Sequence, residues 1–196
     1  MSGRDKNAKR DPERNRGRIL AAALEEFARY GLGGARVDRI AAGAGANKRM
    51  LYYYFGNKED LFLAVLESRY AHIRRAELGL RLGALDPAEG IRRLIAFTWD
   101  YYLKHPEFLT LLNSENLHRA RHLKKSTKVL TLHSPLVRAI ADVLERGSRT
   151  GLFRAGVDPV QLYISIAALA YFYLGNSYTL STIFDRELLG AKAKVE

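Results

Sequence analysis

The stretch VDRIAAGAGANKRMLYYYFGNKEDL, residues 37–61, holds the pattern around which the rest of the chain is organised. Its first seven residues place Val37 and Ile40 on one face of a short helix. Gly43 and Gly45 follow directly, and glycine is favoured where a backbone turns tightly. The stretch therefore predicts a helix that ends in a glycine-containing turn.

A second short helix follows that turn and has a signal at each end. Asn47 is a good N-cap residue, and Gly56 suits the position just beyond a helix C-terminus. Leu51 and Phe55 lie four residues apart, so one face can pack against a core. Two helices joined by a short glycine-containing turn form a helix-turn-helix, whose second helix reads bases in the major groove.

A third helix is predicted to begin at Asn57, with Asp60 three residues later in a spacing similar to a capping box. Lys58 lies in its first turn, where a cation opposes the helix dipole. A contact with a DNA phosphate would offset that cost. We therefore expect Lys58 to bind the DNA backbone.

The second helix also carries residue types that bind DNA. Asn pairs with adenine, Arg or Lys pairs with guanine, and tyrosine hydroxyls bind phosphates. Taken singly, each signal has a simpler explanation: an aromatic run usually packs in a core, and a Lys–Arg pair usually faces solvent. Their order and spacing favour DNA binding.

Residues 15–63 resemble the DNA-binding domain of TetR-family transcriptional regulators. In that family a Tyr-Tyr-x-Phe run closes the recognition helix and an x-Lys-Glu-x-Leu run opens the fourth helix; here these are residues 52–55 and 57–61. The family commonly has Thr or Ser at the start of the second helix, where its hydroxyl contacts a phosphate, but this chain has Val37. We expect Arg36 or a backbone N–H to take over that contact. The residues expected to bind DNA are Arg36, Val37, Asn47, Lys48, Arg49, Met50, Tyr52, Tyr53 and Lys58.

Charge is concentrated in the same part of the chain. The 196 residues carry a net charge of +11, and residues 1–58 contribute 13 Lys and Arg against 6 Asp and Glu. A basic segment of this kind is the electrostatic signature of nucleic-acid binding. Residues 1–11 are predicted to be a disordered basic tail, either an arm that reaches DNA or a plain solvated segment.

Composition excludes several other classes of protein. The absence of cysteine rules out disulfides and thiolate metal sites, and it fits a reducing cytoplasm. No secretory signal is recognisable, and the longest apolar run, residues 162–174, is too short to span a bilayer. We expect a cytoplasmic protein without a membrane partner.

Proline and capping residues divide the remainder into helices. Each of the five prolines suits the first position of a helix. They predict an all-α chain with helices over about 12–30, 57–80, 87–104, 106–117, 135–150, from Pro159 onwards and over 180–189. Residues 119–132 are predicted to be a further helix with a solvated basic face, and a second DNA contact there is an alternative.

The predicted architecture has two domains. Residues 12–60 form the helix-turn-helix domain, and a long fourth helix joins it to a C-terminal ligand-binding and dimerisation domain over residues 61–196. The helix from Pro159 is apolar almost all round between Leu162 and Leu174, which predicts burial on every side and hence a partner subunit. The resemblance to the TetR family implies a homodimer through helices 8 and 9, counted here as residues 135–150 and the helix from Pro159.

Ligand binding is predicted for the aromatic-rich C-terminal helices. Small-molecule sites are mostly apolar with a few placed polar groups. For any one aromatic residue, core packing is the simpler explanation, and the existence of a pocket is mainly implied by the family resemblance. The residues expected to contact an effector are Trp99, Tyr102, Phe108, Asn113, Asn116 and Tyr163.

Catalytic patterns are absent from the sequence. It has no Walker loop, Rossmann fingerprint or nucleophile elbow, so we expect neither an enzyme nor a cofactor. Glu115, His118 and His122 share a helical face that could hold a metal, but such groups also arise by chance on polar surfaces, and we assign no metal site.

The function predicted from these features is a ligand-responsive regulator. A homodimer, usually a repressor in this family, would bind a palindromic operator until a small-molecule effector releases it. One alternative is a DNA-binding protein without a ligand. A second is a helical binding protein or enzyme for an aromatic or lipid-like molecule, without operator specificity.

Overall fold

The structure, a computed structural model, describes residues 12–189, and in that range it is helical without any β-strand. Two short 3-10 helices cover Leu82–Ala84 and Leu123–Lys125. The α-helices of the described range are α1 (Pro12–Gly34), α2 (Val37–Gly43), α3 (Lys48–Phe55), α4 (Lys58–Leu78), α5 (Pro87–Lys104), α6 (Pro106–Leu117), α7 (Thr127–Arg149), α8 (Pro159–Gly175) and α9 (Ser177–Phe184). The all-α prediction is confirmed there, whereas the predicted tail of residues 1–11 lies outside the described residues.

The described residues form two compact units, and two helices contribute to both. The N-terminal unit comprises the residues up to Ser68 together with Leu111–Ser126. The C-terminal unit comprises Arg69–Thr110 and the residues from Thr127 onwards. α4 and α6 each supply residues to both units. The functional boundary that we predicted between residues 60 and 61 stays a prediction.

The core of the N-terminal unit brings α1 to α4 together with one residue of α6. Phe27 and Phe62 meet edge to face, with ring centroids 5.1 Å apart. Leu51 and Phe55 bury the inner face of α3, as their four-residue spacing predicts. Leu111 of α6 joins the same cluster and is fully buried. The two short helices of the helix-turn-helix are therefore anchored to a shared apolar core.

Proline begins α1, α5, α6 and α8, as predicted. Asp86 and Asp158 cap α5 and α8, each accepting hydrogen bonds from two backbone N–H groups of its helix. Pro135 differs, because it lies inside α7, which begins at Thr127. The predictions of a helix start at Pro135 and of a separate helix over residues 119–132 are therefore wrong.

Core packing explains why α7 continues through its proline. A proline inside a helix costs about 3 kcal/mol, because it lacks an N–H and its ring presses on the preceding turn. The α7 side chains Leu136, Ile140 and Val143 are almost fully buried in the C-terminal unit. Each such burial stabilises the fold by roughly 1.5–3 kcal/mol. Together these burials outweigh the local preference of proline for a helix start.

α8 is buried on one side, and the bounds of α9 depart from prediction. α8 buries Ile166, Ala170 and Leu174, but Leu169 on its other side is 78% exposed. One chain therefore leaves one side of α8 exposed, and burial on every side, which was predicted to need a partner subunit, stays a prediction. The last helix, α9, covers Ser177–Phe184 instead of residues 180–189. Between residues 12 and 189, no helix has the length and apolar composition needed to cross a membrane.

Candidate nucleic-acid interface and ligand site

Arg18 of α1 holds the turn between α2 and α3. Its guanidinium donates hydrogen bonds to the carbonyl oxygens of Ala44 and Gly45, the latter at 3.2 Å. Gly45 has a φ of 56°, a left-handed conformation that is uncommon for other residues. A Cβ atom at this position would also overlap the Arg18 side chain. Gly45 is thus favoured by its backbone conformation, and a side chain there would displace the Arg18 guanidinium.

Asn47 caps α3, as predicted. Its Oδ1 accepts a hydrogen bond from the backbone N–H of Met50 at 2.8 Å. A bidentate pair with adenine would need that same oxygen together with the side-chain nitrogen. In this conformation the cap uses one of the two lone pairs of Oδ1, so Asn47 is held in place by the helix that it caps.

α3 separates a buried face from an exposed one. Leu51 is fully buried, whereas Tyr52 and Tyr53 are 46% and 83% exposed. Arg49 is exposed as well, and Met50 is half-buried. An exposed tyrosine gives up the stabilisation that burial of its ring would provide. A surface that presents two such tyrosines beside an arginine is therefore suited to contact a partner. The exposed face of α3 contains the residues predicted to read DNA.

Two of the predicted DNA-binding lysines have partners within the chain. Lys48 forms an ion pair with Asp38 of α2, and both side chains are more than half exposed. Exposed pairs contribute only about 0–1 kcal/mol, so Lys48 can exchange Asp38 for a phosphate at little cost. Lys58 donates from Nζ to the carbonyl oxygen of Ala35 at 3.2 Å. This bond is a benefit of Lys58 that the sequence did not suggest.

Asn57 caps α4 by a pattern that differs from the predicted capping box. The backbone N–H of Asp60 donates to Asn57 Oδ1 at 2.8 Å. In return, Asp60 Oδ2 accepts from the side-chain Nδ2 of Asn57 at 2.5 Å, whereas a capping box would use the backbone N–H. The backbone N–H of Asn57 donates to the carbonyl oxygen of Phe55 instead. The shorter aspartate thus pairs with the amide group of the cap residue.

Glu26 organises the start of α2. Its Oε1 accepts hydrogen bonds from the backbone N–H of Arg36 at 2.8 Å and from Arg39 Nε at 2.7 Å. The hydrogen bond from Arg39 holds the pKa of Glu26 below its usual value, despite burial of the carboxyl. Arg39 also lies over the ring of Tyr30, 4.2 Å from its centroid. The backbone N–H of Arg36 is therefore already bonded, whereas the Arg36 side chain is exposed. The expectation that Arg36 or a backbone N–H replaces a hydroxyl at Val37 stays a prediction.

Sequence reasoning missed Arg18, Glu26 and Arg39. These residues hydrogen-bond to the start of α2 or to the turn between α2 and α3, or to each other. Glu26 left a detectable signal, because it falls between Ala23 and Phe27 on the apolar stripe of α1. Charged residues are almost never buried without a partner. An acidic residue at a core position therefore predicts a paired cation nearby. Arg18 and Arg39 left no comparable signal, since each lies on an exposed part of its helix.

The segment Leu111–Ser126, which belongs to the N-terminal unit, contains a buried Glu–His pair. Glu115 accepts hydrogen bonds from the backbone N–H groups of His122 and Leu123 and approaches His122 Nδ1 at 2.6 Å. The ring of His118 contacts that of His122, with centroids 5.6 Å apart, and its Nδ1 lies 2.7 Å from the carbonyl oxygen of Ser114. Within residues 12–189, no cluster of three His, Asp or Glu side chains has the arrangement of a metal site. Glu115 and His122 thus bond to each other, while His118 bonds to the backbone.

Three of the six predicted ligand residues lie in one region of the C-terminal unit. Tyr102 and Phe108 are buried, with ring centroids 6.1 Å apart. Tyr163 of α8 is half-buried and belongs to the same unit. Desolvation by burial raises the pKa of both Tyr102 and Tyr163. The charge of Arg74 lowers the pKa of each tyrosine, and the charge of Glu77 raises it. These tyrosines therefore face a buried charged pair.

The other three predicted ligand residues are placed elsewhere. Trp99 packs against Tyr173, with ring centroids 5.1 Å apart. Asn113 and Asn116 lie in the N-terminal unit and are exposed. The structure does not bring these residues into the group around Tyr102, and their ligand role stays a prediction.

Arg74 and Glu77 of α4 form that buried pair, and sequence reasoning missed both. Arg74 is 3% exposed and Glu77 is 1% exposed. Arg74 Nη2 donates to the hydroxyl oxygen of Tyr163 at 2.5 Å, and this hydroxyl donates to Glu77 Oε1 at 3.5 Å. Arg74 Nη1 lies 2.9 Å from Glu77 Oε2, but the angles at these atoms do not make a hydrogen bond. The available signal was spacing, since both residues continue the inward face of α4 begun by Leu66 and Tyr70.

A cavity of about 310 Å³ borders Glu77 of this pair. Its lining is mainly apolar, with Glu77 and Arg81 as the charged groups. The other lining residues are Leu78, Leu82, Gly83, Ala84, Leu136 and Ala139. Small-molecule sites occupy roughly 300–1,000 Å³ and combine apolar walls with few polar groups. The cavity therefore suits a small ligand.

An apolar stripe on α8 remains uncovered. Val160, Ile164, Leu169 and Phe172 are between 43% and 78% exposed, and their spacing of three to five residues places them along one side of the helix. Single exposed apolar residues are ordinary, but a contiguous stripe marks an interaction surface. We call these four residues the α8 stripe.

Comparison with known proteins gives concordant results. Residues 19–65 match the family of bacterial regulatory proteins, tetR family, and residues 87–196 match the tetracyclin repressor-like C-terminal domain. The HTH-type transcriptional repressor NicS of Pseudomonas putida is 43% identical over 184 residues, covering 94% of this chain and 87% of NicS. The HTH-type transcriptional repressor SCO4008 of Streptomyces coelicolor is 38% identical, covering 82% and 79%. The crystal structure of the transcriptional regulator SCO4942 of Streptomyces coelicolor superposes with a TM-score of 0.66 at 29% identity, covering 91% and 90%.

Proposed function

This chain belongs to the TetR family of transcriptional regulators, and from that premise we propose that it is a ligand-responsive repressor that binds an inverted-repeat operator as a homodimer. The observation that carries the proposal is the exposed face of α3. That face presents Arg49, Tyr52 and Tyr53 on a helix anchored by Leu51 and Phe55. NicS and SCO4008, which are 43% and 38% identical over most of the chain, are named repressors, and this supports repression here.

Within this proposal the predicted DNA contacts divide into two groups. Arg49 reads a base edge, because its guanidinium is exposed at the start of α3 and suits guanine. Arg36, Lys48, Lys58, Tyr52 and Tyr53 bind phosphates, and Val37 and Met50 contribute apolar contact at the same surface. Asn47 acts first as the cap that orients α3.

Dimerisation is proposed through α7 and α8, with the α8 stripe at its centre. A second copy of the chain would cover the face that one chain leaves exposed. Two recognition helices would then meet successive major grooves about 34–36 Å apart. An isologous interface of this kind matches the two-fold symmetry of an inverted repeat.

Effector control is proposed to act through α4 and α6. α4 carries Arg74 and Glu77 near its end and Lys58 in its first turn. α6 carries Phe108 near its start and supplies Leu111 to the core of the N-terminal unit. An effector releases DNA only if it binds more tightly to the conformation that does not fit the operator.

Selection of bound sequences from a random duplex library at about 150 mM salt tests this function. An inverted repeat with defined spacing supports a dimeric operator-binding protein. Binding without sequence preference would instead indicate a charge-driven DNA-binding protein. Absence of DNA binding would favour a helical protein that binds a small molecule without an operator.

A further inference from the structure

The buried guanidinium of Arg74 is incompletely bonded. Its Nη2 donates to Tyr163, but Nε and Nη1 have no hydrogen-bond partner and are shielded from solvent. Glu77 Oε2 is likewise without a hydrogen bond. Buried polar groups are almost always satisfied, because leaving a charged donor unpaired costs several kcal/mol. Arg74 therefore has capacity for a further group.

The chemistry of that group follows from arginine itself. A guanidinium has donors and no acceptor, so its partner must be an acceptor. In a buried environment a charged donor gains most from an anionic oxygen, and planar carboxylates match it best. Glu77 is the nearest anion, but its hydrogen-bond geometry to Arg74 is poor. A carboxylate from outside the chain can therefore compete with it.

Glu77 can give up its charge at little cost. Desolvation by burial raises the pKa of Glu77 to about 7, although Arg74 and the Tyr163 hydroxyl oppose this. The side chain also lines the cavity of about 310 Å³, which is otherwise mainly apolar. Glu77 thus lies between the cavity, which it lines, and the buried Arg74, with which it pairs.

We propose that the effector is a small organic acid whose carboxylate binds the unsatisfied N–H groups of Arg74 in place of Glu77, while Glu77 takes up one proton from solvent. The neutral glutamic acid remains beside the cavity and can donate a hydrogen bond to the bound acid or to Tyr163. The inference rests on the proposed function insofar as the bound acid is the effector.

The groups around Glu77 fit this exchange. Arg74 precedes Glu77 on α4, and the Tyr163 hydroxyl of α8 donates to Glu77. Tyr102 of α5 is close enough that the charge of Glu77 raises its pKa. His133 of α7 faces Arg74, and burial lowers the pKa of that histidine, so it remains neutral near pH 7. Arg81 shares the cavity lining and attracts an anion towards it. The titrating group near neutral pH is therefore Glu77.

The first test compares acids with their amides on the full-length protein. Titration calorimetry would use benzoate and hexanoate, each paired with benzamide or hexanamide, at about pH 6 and pH 8. Acids should bind at least about tenfold more tightly than amides, because only they supply the anion. With one proton taken up by a group of pKa near 7, the acids should bind about tenfold more tightly at pH 6 than at pH 8. Equal binding of acids and amides, or no acid binding, would overturn the proposal.

Variants then separate the roles of the two charged residues. Arg74→Gln should remove acid binding, whereas Arg75→Gln, which removes an exposed charge from the next position of α4, should leave it unchanged. Glu77→Gln should retain acid binding and abolish its pH dependence, since the titrating group is gone. Arg74→Gln alone leaves a buried Glu77 without its cation, which could weaken the fold. The double variant Arg74→Gln/Glu77→Gln removes both charges, so a weakened fold of this kind cannot explain its loss of binding. Acid binding that persists in the double variant would contradict the site.

The role of the acid as effector is tested separately on the selected operator. Acid binding that also reduces operator affinity supports both proposals. Acid binding without any change in operator affinity keeps the site and refutes its effector role. Operator binding by a protein that binds no acid refutes the ligand class and leaves the repressor function intact.

Discussion

Lys58 Nζ, in the first turn of α4, donates a hydrogen bond to the carbonyl oxygen of Ala35, which lies between α1 and α2. The bond ties the start of α4 to the segment that leads into the helix-turn-helix. A cation at a helix N-terminus is unfavourable, and this bond offsets part of that cost. Lys58 therefore stabilises the fold of the helix-turn-helix and also adds a positive charge to its surface.

Replacing Lys58 should weaken DNA binding uniformly. Lys58→Ala removes one candidate phosphate contact, so affinity should fall for all sequences alike and the salt dependence should drop by about one ion. Its hydrogen bond to Ala35 contributes about 0.5–1.5 kcal/mol to unfolding stability. Lys104→Ala, an exposed lysine of the C-terminal unit, is the matched control. A change of preference at one base position would contradict a phosphate role.

Replacing Arg49 should relax sequence preference instead. Arg49→Ala removes an exposed guanidinium at the start of α3, and loss of a good base contact costs about 1–3 kcal/mol of discrimination. Repeating the duplex selection with the variant should show one degenerate position in each half-site. Arg29→Ala removes an equal charge from α1 and should preserve the consensus. An unchanged consensus for Arg49→Ala would remove this residue from base readout.

Gly45 should be sensitive to a single methyl group. Gly45→Ala forces a φ of 56° on alanine and brings its Cβ against Arg18. We expect a loss of unfolding stability of about 1–3 kcal/mol and weaker operator binding. Gly33→Ala adds the same methyl group where no atom lies within 4 Å. Urea denaturation that finds the two variants equally stable would show that the turn can relax.

The α8 stripe should determine the oligomeric state. Phe172→Glu places a charge on the stripe, and burial of an unpaired charge in an interface is strongly unfavourable. Analytical ultracentrifugation should show a monomer that binds the operator weakly. Leu117→Glu makes the same type of change at an 84% exposed residue of α6, outside the proposed interface, and should leave the dimer intact. A dimeric Phe172→Glu variant would place the interface elsewhere.

Glu77 should make stability depend on pH. Burial raises its pKa from 4.5 to about 7, so the folded chain binds more protons than the unfolded chain between these values. The contribution of Glu77 to stability therefore falls as pH rises through this window and is level above it. The difference in unfolding free energy between Glu77→Gln and the unchanged protein should shift in favour of the variant by up to about 3 kcal/mol from pH 4.5 to pH 8. A constant difference across this range would show that Glu77 titrates normally.

Sequence alone determined the features that depend on neighbours along the chain. The caps at Asn47 and Asp86, the turn at Gly45 and the inner face of α3 follow from local backbone preferences and helical periodicity. These preferences act over four or five residues, and the folded chain retains them. The helix-turn-helix was predictable for that reason, and also because residues 52–61 follow the order of residue types seen in the TetR family.

Tertiary structure alone decided the features that join distant residues. It carried α7 through Pro135, because burial of Leu136 and Ile140 outweighs a local helix signal. It also supplied Ala35 as the partner of Lys58 and placed Tyr163 beside Arg74, 89 positions apart in the chain. A buried charge is stable only with the right neighbours, and those come from other helices. The proposed ligand site therefore depends on the packing of α4, α5, α7 and α8.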